Sequence, residues 1–321
     1  MTCYRTLAAS LLAAVLPLAA AHAAWPEKPI TMVVTYPPGG TVDTVARIIG
    51  PKLSNKLGQS VIIDNKGGAG GMIGGAAVAR SAPDGYTFMF DASSHAQNPA
   101  LQSRMTFDTL KDFQSVSLLL RVPNVLVTTP SNTTFKSVQD VITSGKSPNA
   151  VYFASAGPGS AQHLAGELFN VMAGTSLVHI AYKGGGPAMV DVMSGQVPIM
   201  FASLGSAWTH IQSGKLRPIA VGGEKRSPVL PELPTIAESG VPGFASYEWN
   251  AVFAPAGTPR DIVDKMSAAL ADVLKDPEVK AKLEGMGAEI VGSTPEELEA
   301  FRRAEIEKWK NVVKQSGIAV N

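Results

Sequence analysis

Several residues and patterns that mark common function classes are scarce or missing in this 321-residue chain. There is one cysteine, Cys3, so neither a disulfide framework nor a cysteine metal site can be built. The 27 Lys and Arg are met by 26 Asp and Glu, which leaves no basic surplus to neutralise a phosphate backbone, and no nucleic-acid partner is expected. HExxH and GxxxxGK[ST] are both missing, and Ser160 is not in a GxSxG elbow because Gln162 holds the last position. His95, His163, His179 and His210 lack metal-ligand spacing, apart from His163 and Glu167 four residues apart, a spacing that equally serves a surface or capping contact. No catalytic residue, metal or cofactor is expected. What remains is a globular composition, 45% apolar and 17% charged, with 31 Gly and 23 Pro scattered without period. The length suits two domains of ordinary size.

The start of the chain reads as a targeting segment. Met1 to Arg5 is short and basic, Leu7 to Ala21 is apolar, and Ala21-His22-Ala23 offers small residues where a signal peptidase reads them. The apolar run falls short of the roughly 20 residues a membrane span needs. Cleavage after about Ala23 is expected. It removes Cys3 and Arg5, so the mature chain is free of cysteine and carries as many basic as acidic residues. No later stretch is apolar enough to span a bilayer, and the mature protein is expected to be exported. An exported chain meets little nucleotide or reduced nicotinamide.

From Pro29 onward, short β-branched or aromatic runs alternate with stretches of helical period. Residues 30–35 read as a buried strand, 41–57 as a helix, 61–64 as a strand, 71–81 as a helix and 86–91 as a third strand. That order predicts a mostly parallel sheet covered by helices. A second set begins near Asn124, with strands at 125–129, 151–154, 177–181, 199–201 and 217–221, helices at 137–145 and 160–172, and further helices between. Residues 227–244 are dense in Pro and Gly and read as a loop or linker. Trp249 to Phe253 is a strand, and the remainder is helical. Thr258-Pro259-Arg260-Asp261 and Thr294-Pro295-Glu296-Glu297 each offer an N-cap, a proline at the first helical position and an acid at the third. The second opens a long amphipathic helix ending near Gly317. Trp208, Trp249 and Trp309 read as core or hinge packing.

Three places join a strand end, a glycine-rich turn and a helix start: Tyr36-Pro37-Pro38-Gly39-Gly40-Thr41-Val42-Asp43, Ser155-Ala156-Gly157-Pro158-Gly159-Ser160, and Tyr182-Lys183-Gly184-Gly185-Gly186-Pro187. Open α/β sheets bind ligands at such ends, where the first helical N–H groups lack partners and the dipole favours an anion. Any one of these turns also serves as a plain tight turn. Thr41 and Ser160 are either N-caps alone or caps that offer a hydroxyl to a ligand. Asp43 either complements the helix dipole or meets a ligand donor, and Lys183 is either solvated or a ligand contact. Gly68, Gly70 and Gly74 approximate a dinucleotide fingerprint with GxGxxxG spacing, but export argues against a nicotinamide enzyme, and they are read as helix–sheet packing or a cleft-wall turn.

With these residues assembled, the chain resembles the periplasmic solute receptors of tripartite tricarboxylate transporters, also called Bug-type receptors. The resemblance runs through Trp25-Pro26, Lys28-Pro29-Ile30, Pro37-Pro38-Gly39-Gly40 with Asp43, and Gly68-Ala69-Gly70-Gly71. It continues through Ala82-Pro83-Asp84-Gly85-Tyr86, Gly159-Ser160 with His163 to Phe169, Tyr182-Lys183-Gly184, Arg226-Ser227-Pro228, Leu233-Pro234-Thr235 and Ala254 to Pro259. It implies an α/β, two-domain Venus-flytrap fold of type II-like periplasmic binding proteins with a ligand cleft between the domains. The implied domains are residues 24–125 with 248–321, and 126–247. The implied function is capture of a small organic mono- or dicarboxylate for membrane transporter subunits, or alternatively sensing of it for a membrane sensor kinase, by a monomer without enzymatic activity. An exported enzyme acting on a carboxylate is the rival reading, and it needs a nucleophile, base or metal that the sequence does not visibly supply. The candidate lining is Tyr36, Pro38, Gly39, Gly40, Thr41, Asp43, Ser93, Ser155, Gly157, Gly159, Ser160, His163, Tyr182, Lys183, Gly184 and Ala202. Ala202 departs from the pattern, since relatives often carry Asp after the Phe in that strand, so no amino-acid or citrate specificity is carried over.

Overall fold

The computed structural model describes residues 25–317, so the expected leader, Met1 to Ala23 with Cys3, lies outside the described residues. The first half-sheet starts with β1 (Ile30–Val34), α1 (Thr41–Leu57), β2 (Val61–Asn65), α2 (Met72–Ala79), β3 (Thr87–Ala92) and α3 (Ser94–Leu101). β1 runs parallel between β2 and β3. Its uninterrupted apolar run has a simple cause: Ile30, Met32 and Val34 enter one core cluster while Val33 enters the other, so both faces of the strand are covered.

The chain then enters β4 (Phe113–Thr128), a 16-residue strand that serves both halves of the molecule. Residues 113–123 of β4 pair antiparallel with β9 (Tyr247–Pro255), whereas 124–128 pair with β7 (Ile199–Ser203) and β8 (Arg217–Val221). Only the second part was legible as a strand. Pro123 marks the point where β4 changes partner, which is where a strand tolerates a residue without an N–H. The second half carries α4 (Val138–Gly145), β5 (Tyr152–Ser155), α5 (Ala161–Ala173), β6 (Val178–Ala181), α6 (Gly185–Met193) and α7 (Leu204–Gln212). The strands run in the order β2-β1-β3-β9-β4-β7-β5-β6. The 227–244 segment is an irregular loop that packs back on β8, with Ile236 donating to Val221 O at 2.8 Å and Phe244 buried.

The return crossing is stitched to the outgoing one. Asn124 N donates to Ser246 O at 3.0 Å, Gly222 N donates to Asn124 O at 2.6 Å, and the Asn124 amide donates to Ser246 Oγ at 2.8 Å. After β9 follow α8 (Arg260–Leu274), α9 (Pro277–Glu284), the short β10 (Glu289–Ile290) and α10 (Pro295–Ser316). Thr294 and Glu297 form the expected capping box on α10, with Pro295 in the first turn. Thr258 does not cap α8. Pro259 takes that position without a side-chain cap, and the Thr258 hydroxyl turns back to Pro255 O at 2.8 Å. Trp249 and Trp309 are buried and both donate their indole N–H to Glu305.

Candidate functional site

The carboxyl ends of β1, β3 and β7 meet where β4 and β9 run between the two halves. Ala92 at the end of β3 pairs with Asn250 of β9, and Ser203 at the end of β7 pairs with Asn124 of β4. Ser93 fastens this level by accepting the Trp249 N–H at 2.9 Å. The 155–160 loop reaches the first half, because a side-chain carbon on Gly159 would lie 3.1 Å from Leu101 of α3.

The turn after β1 is held by an internal clamp. Asp43 is 3% exposed and accepts hydrogen bonds from Gly39 N at 2.9 Å, Asn65 Nδ2 at 2.9 Å and Arg47 at 3.0 Å. Asn65 also donates to Tyr36 O at 3.0 Å. Burial alone would raise the Asp43 carboxyl, but Arg47, the Gly39 amide and Asn65 together hold it below the usual carboxylate range. Asp43 is thus spent within the turn. The N-cap of α1 is Gly40, with no side-chain cap, and Thr41 is the first helical residue. Among the described residues the amides of Gly40, Thr41 and Val42 have no hydrogen-bond partner. The clamp leaves three donors at a positive helix end beside the exposed Pro38, Gly39 and Gly40.

The 155–160 loop spends more of its own amides. Gly157 N donates to Ser155 Oγ at 3.0 Å, Gly159 N to His163 Nδ1 at 3.1 Å, and Ser160 N to Gly157 O at 3.2 Å. Ser160 is a true cap, accepting the His163 N–H at 3.2 Å. The amides left without a partner there belong to Ala156, Ala161 and Gln162. Gly157, at φ +122°, leaves room for Tyr182 O, which a side-chain carbon would meet at 2.9 Å. Beneath the loop, Ser155 Oγ lies 2.6 Å from His179 Nε2, and the His163 and His179 rings stack at 3.9 Å. Burial, helped by His163, pulls the His179 ring down to about 4. The His163–Glu167 distance is 3.6 Å.

The third turn leans on the second through Tyr182 N to Ser155 O and Gly184 N to Ala156 O, each at 3.1 Å. Tyr182 OH donates to Asp191 at 2.6 Å, while Lys183 is exposed and forms no ion pair among the described residues. Ala202 is fully buried in an apolar cluster and brings no polar group.

Three polar residues where the two halves meet came from none of the glycine turns. Ser94 accepts from Tyr36 OH at 2.7 Å, Ser203 is 1% exposed, and Glu248 of β9 is half-buried beside Tyr36 and Ser203. Burial pushes the Tyr36 hydroxyl up, and Asp91 adds to the effect. The glycines of the GxGxxxG run pack. A side-chain carbon on Gly74 would lie 2.8 Å from Lys66 O, and one on Gly71 would lie 3.1 Å from Asp91. No helix among the described residues is long and apolar enough to cross a membrane.

A model of the tripartite tricarboxylate transporter family receptors matches residues 45–318. The chain belongs to that family. This receptor is 38% identical over 296 residues to the protein BugT of Bordetella pertussis, covering 91% of this chain and 90% of that one. It superposes on the R. palustris protein Rpa4515 with adipate at a TM-score of 0.84 and 37% identity, covering 92% of this chain and 99% of that one. MatC from Rhodopseudomonas palustris with bound malate gives 0.81 and 32%, covering 90% and 100%. The periplasmic binding protein BugD gives 0.82 and 34%, covering 92% and 99%. The receptor therefore shares the two-domain, Venus-flytrap architecture of periplasmic solute-binding proteins.

Proposed function

We propose that this receptor captures a small organic carboxylate between its two lobes, residues 24–125 with 248–321 and residues 126–247, and presents the closed form to the membrane subunits of a tripartite-type transporter. It acts as a monomer, without catalysis, after export and cleavage near Ala23. The observation that carries the reading is the trio of unpartnered amides at the start of α1, held in place by the Asp43–Arg47–Asn65 clamp. A charge-assisted hydrogen bond contributes about 1.5–3 kcal/mol, and a micromolar complex needs about 8 kcal/mol. Three amides on one carboxylate, joined by contacts from Ala156, Ala161 and the β6–α6 turn, reach that range after ordering costs. The adipate and malate seen in two solved relatives support the ligand class.

The test is calorimetry on protein unfolded, dialysed and refolded to free it of retained ligand, against a panel of mono- and dicarboxylates of two to eight carbons. Binding of at least one member in the micromolar range or tighter is expected. Silence across the panel from well-folded protein would overturn the reading.

A further inference from the structure

Where the crossing strands pass the ends of β1 and β7 there is a carboxyl group with no cationic partner among the described residues. Glu248 stands on β9 opposite Val122 of β4, where the two strands lead from one lobe toward the other. Tyr36 flanks it from the end of β1 and Ser203 from the end of β7. Among the described residues no Lys, Arg or His forms an ion pair with it: Arg121 is engaged by Glu289 and Glu224, and Arg47 by Asp43. Tyr36 cannot donate to it, because its hydroxyl proton goes to Ser94.

Ser203 is the second observation. Its hydroxyl is 1% exposed and makes no well-formed hydrogen bond, although it lies near enough to Glu248 to draw that carboxyl down against the effect of burial. A buried hydroxyl left unpartnered is unfavourable, so native structures rarely keep one without a use. Burial raises the Glu248 carboxyl above its ordinary range, and an ammonium or hydroxyl donor arriving beside it would reverse that shift and hold it ionised.

We propose that Glu248, with Ser203 beside it, is the specificity-determining residue of the cleft and selects carboxylates whose far end carries a hydrogen-bond donor, an ammonium or a hydroxyl, over plain dicarboxylates. The inference rests on the carboxylate-capture reading above. The amides at the start of α1 take one carboxylate, and an ionised Glu248 offers acceptors only. A second ligand carboxylate would meet Glu248 with Asp91 behind Tyr36 and no cation in contact, and two such groups cannot both stay ionised at close range. An ammonium or hydroxyl meets Glu248 without that conflict, and Ser203 can donate or accept at its side. Lys183, exposed on the β6–α6 turn, is the group that would argue the other way.

The experiment compares matched skeletons by calorimetry: adipate with 6-aminohexanoate and 6-hydroxyhexanoate, and succinate with 4-aminobutanoate and 4-hydroxybutanoate. Each is titrated into wild type, Glu248→Gln, Ser203→Ala and Lys183→Ala, with circular dichroism confirming the fold. At one chain length or both, the donor-bearing ligand should bind wild type at least about tenfold tighter than its dicarboxylate. Glu248→Gln should cut affinity for the amino acid about tenfold or more, cut the hydroxy acid less, and leave or improve the dicarboxylate. Wild type preferring a dicarboxylate, or a donor preference that survives Glu248→Gln, would overturn this inference alone. A dicarboxylate preference lost in Lys183→Ala would name the group that replaces Glu248. If no panel member binds, the capture reading falls and this inference falls with it.

Discussion

The amide of Thr41 can be removed with little cost to the fold, and that makes it the sharpest probe of the cleft. Proline is favoured at the first position of a helix, where its missing N–H would lack an intrahelical partner anyway. It also demands an extended residue before it. Gly40 sits at φ −83°, ψ 173°, which meets that demand, and the Thr41 side chain makes no hydrogen bond among the described residues. Thr41→Pro should therefore fold with a midpoint within a few degrees of wild type. It removes the N–H aimed at the ligand carboxylate, worth about 1.5–3 kcal/mol, together with the Thr41 hydroxyl, which a second variant isolates. The dissociation constant should rise about 10- to 150-fold, since about 1.4 kcal/mol is a factor of ten. Thr41→Ala, which keeps the amide and deletes the hydroxyl, serves as the control and should bind within a few-fold of wild type. Calorimetry with the tightest ligand of the panel reads both variants. Unchanged affinity in folded Thr41→Pro would refute the idea that these amides grip the anion. Equal loss in Thr41→Ala and Thr41→Pro would shift the contact to the hydroxyl.

Three further outcomes follow from the geometry. Asp43→Ala unhooks Gly39, Asn65 and Arg47 together, so it should cost about 1.5–3 kcal/mol in urea unfolding and weaken carboxylate binding by loosening the turn, although Asp43 touches no ligand in this scheme. The His179 ring titrates near 4 in the folded protein because of burial and His163, against about 6.5 when unfolded, so the unfolded chain takes the proton first as pH falls. Stability should be flat above pH 7 and decline by about 1–2 kcal/mol between about pH 6.5 and 4, allowing for partial exposure. Thermal melts of His179→Gln, which keeps a partner for Ser155, should show a shallower decline. Gly74→Ala should destabilise by about 1–3 kcal/mol, because the added carbon meets the backbone oxygen of Lys66; a neutral melt would mean that these glycines are not there to pack helix on sheet.

The sequence exposed what is local. The Pro37-Pro38-Gly39-Gly40 turn between an apolar run and a helical pattern announced itself, α1 was placed at the residues it occupies, and the Thr294 box opened α10 as its spacing required. The first eleven residues of β4 stayed hidden because Ser115, Ser117, Arg121 and Pro123 break the apolar pattern, and their partners arrive only with β9. α3 was missed because Ser94, His95, Gln97 and Asn98 are polar yet buried, and Pro99 lies within it. Thr258 misled because its hydroxyl found Pro255 O instead of a helix amide. Within the site, the use of the Gly159 amide by His163 was a four-residue contact open to inspection, whereas Tyr36, Ser94, Ser203 and Glu248 meet only through the sheet order.

That order also sets a timetable. β9 lies between β3 and β4, so the amino-terminal sheet cannot close until residue 255 has arrived, and β4 cannot settle with β3 as its direct neighbour in the meantime. The strand that completes the first lobe is thus delivered only after the second lobe has been threaded, a long-range closure that slows assembly. A polypeptide that travels in extended form gains from such lateness, since its amino-terminal sheet stays open until residue 255 is at hand.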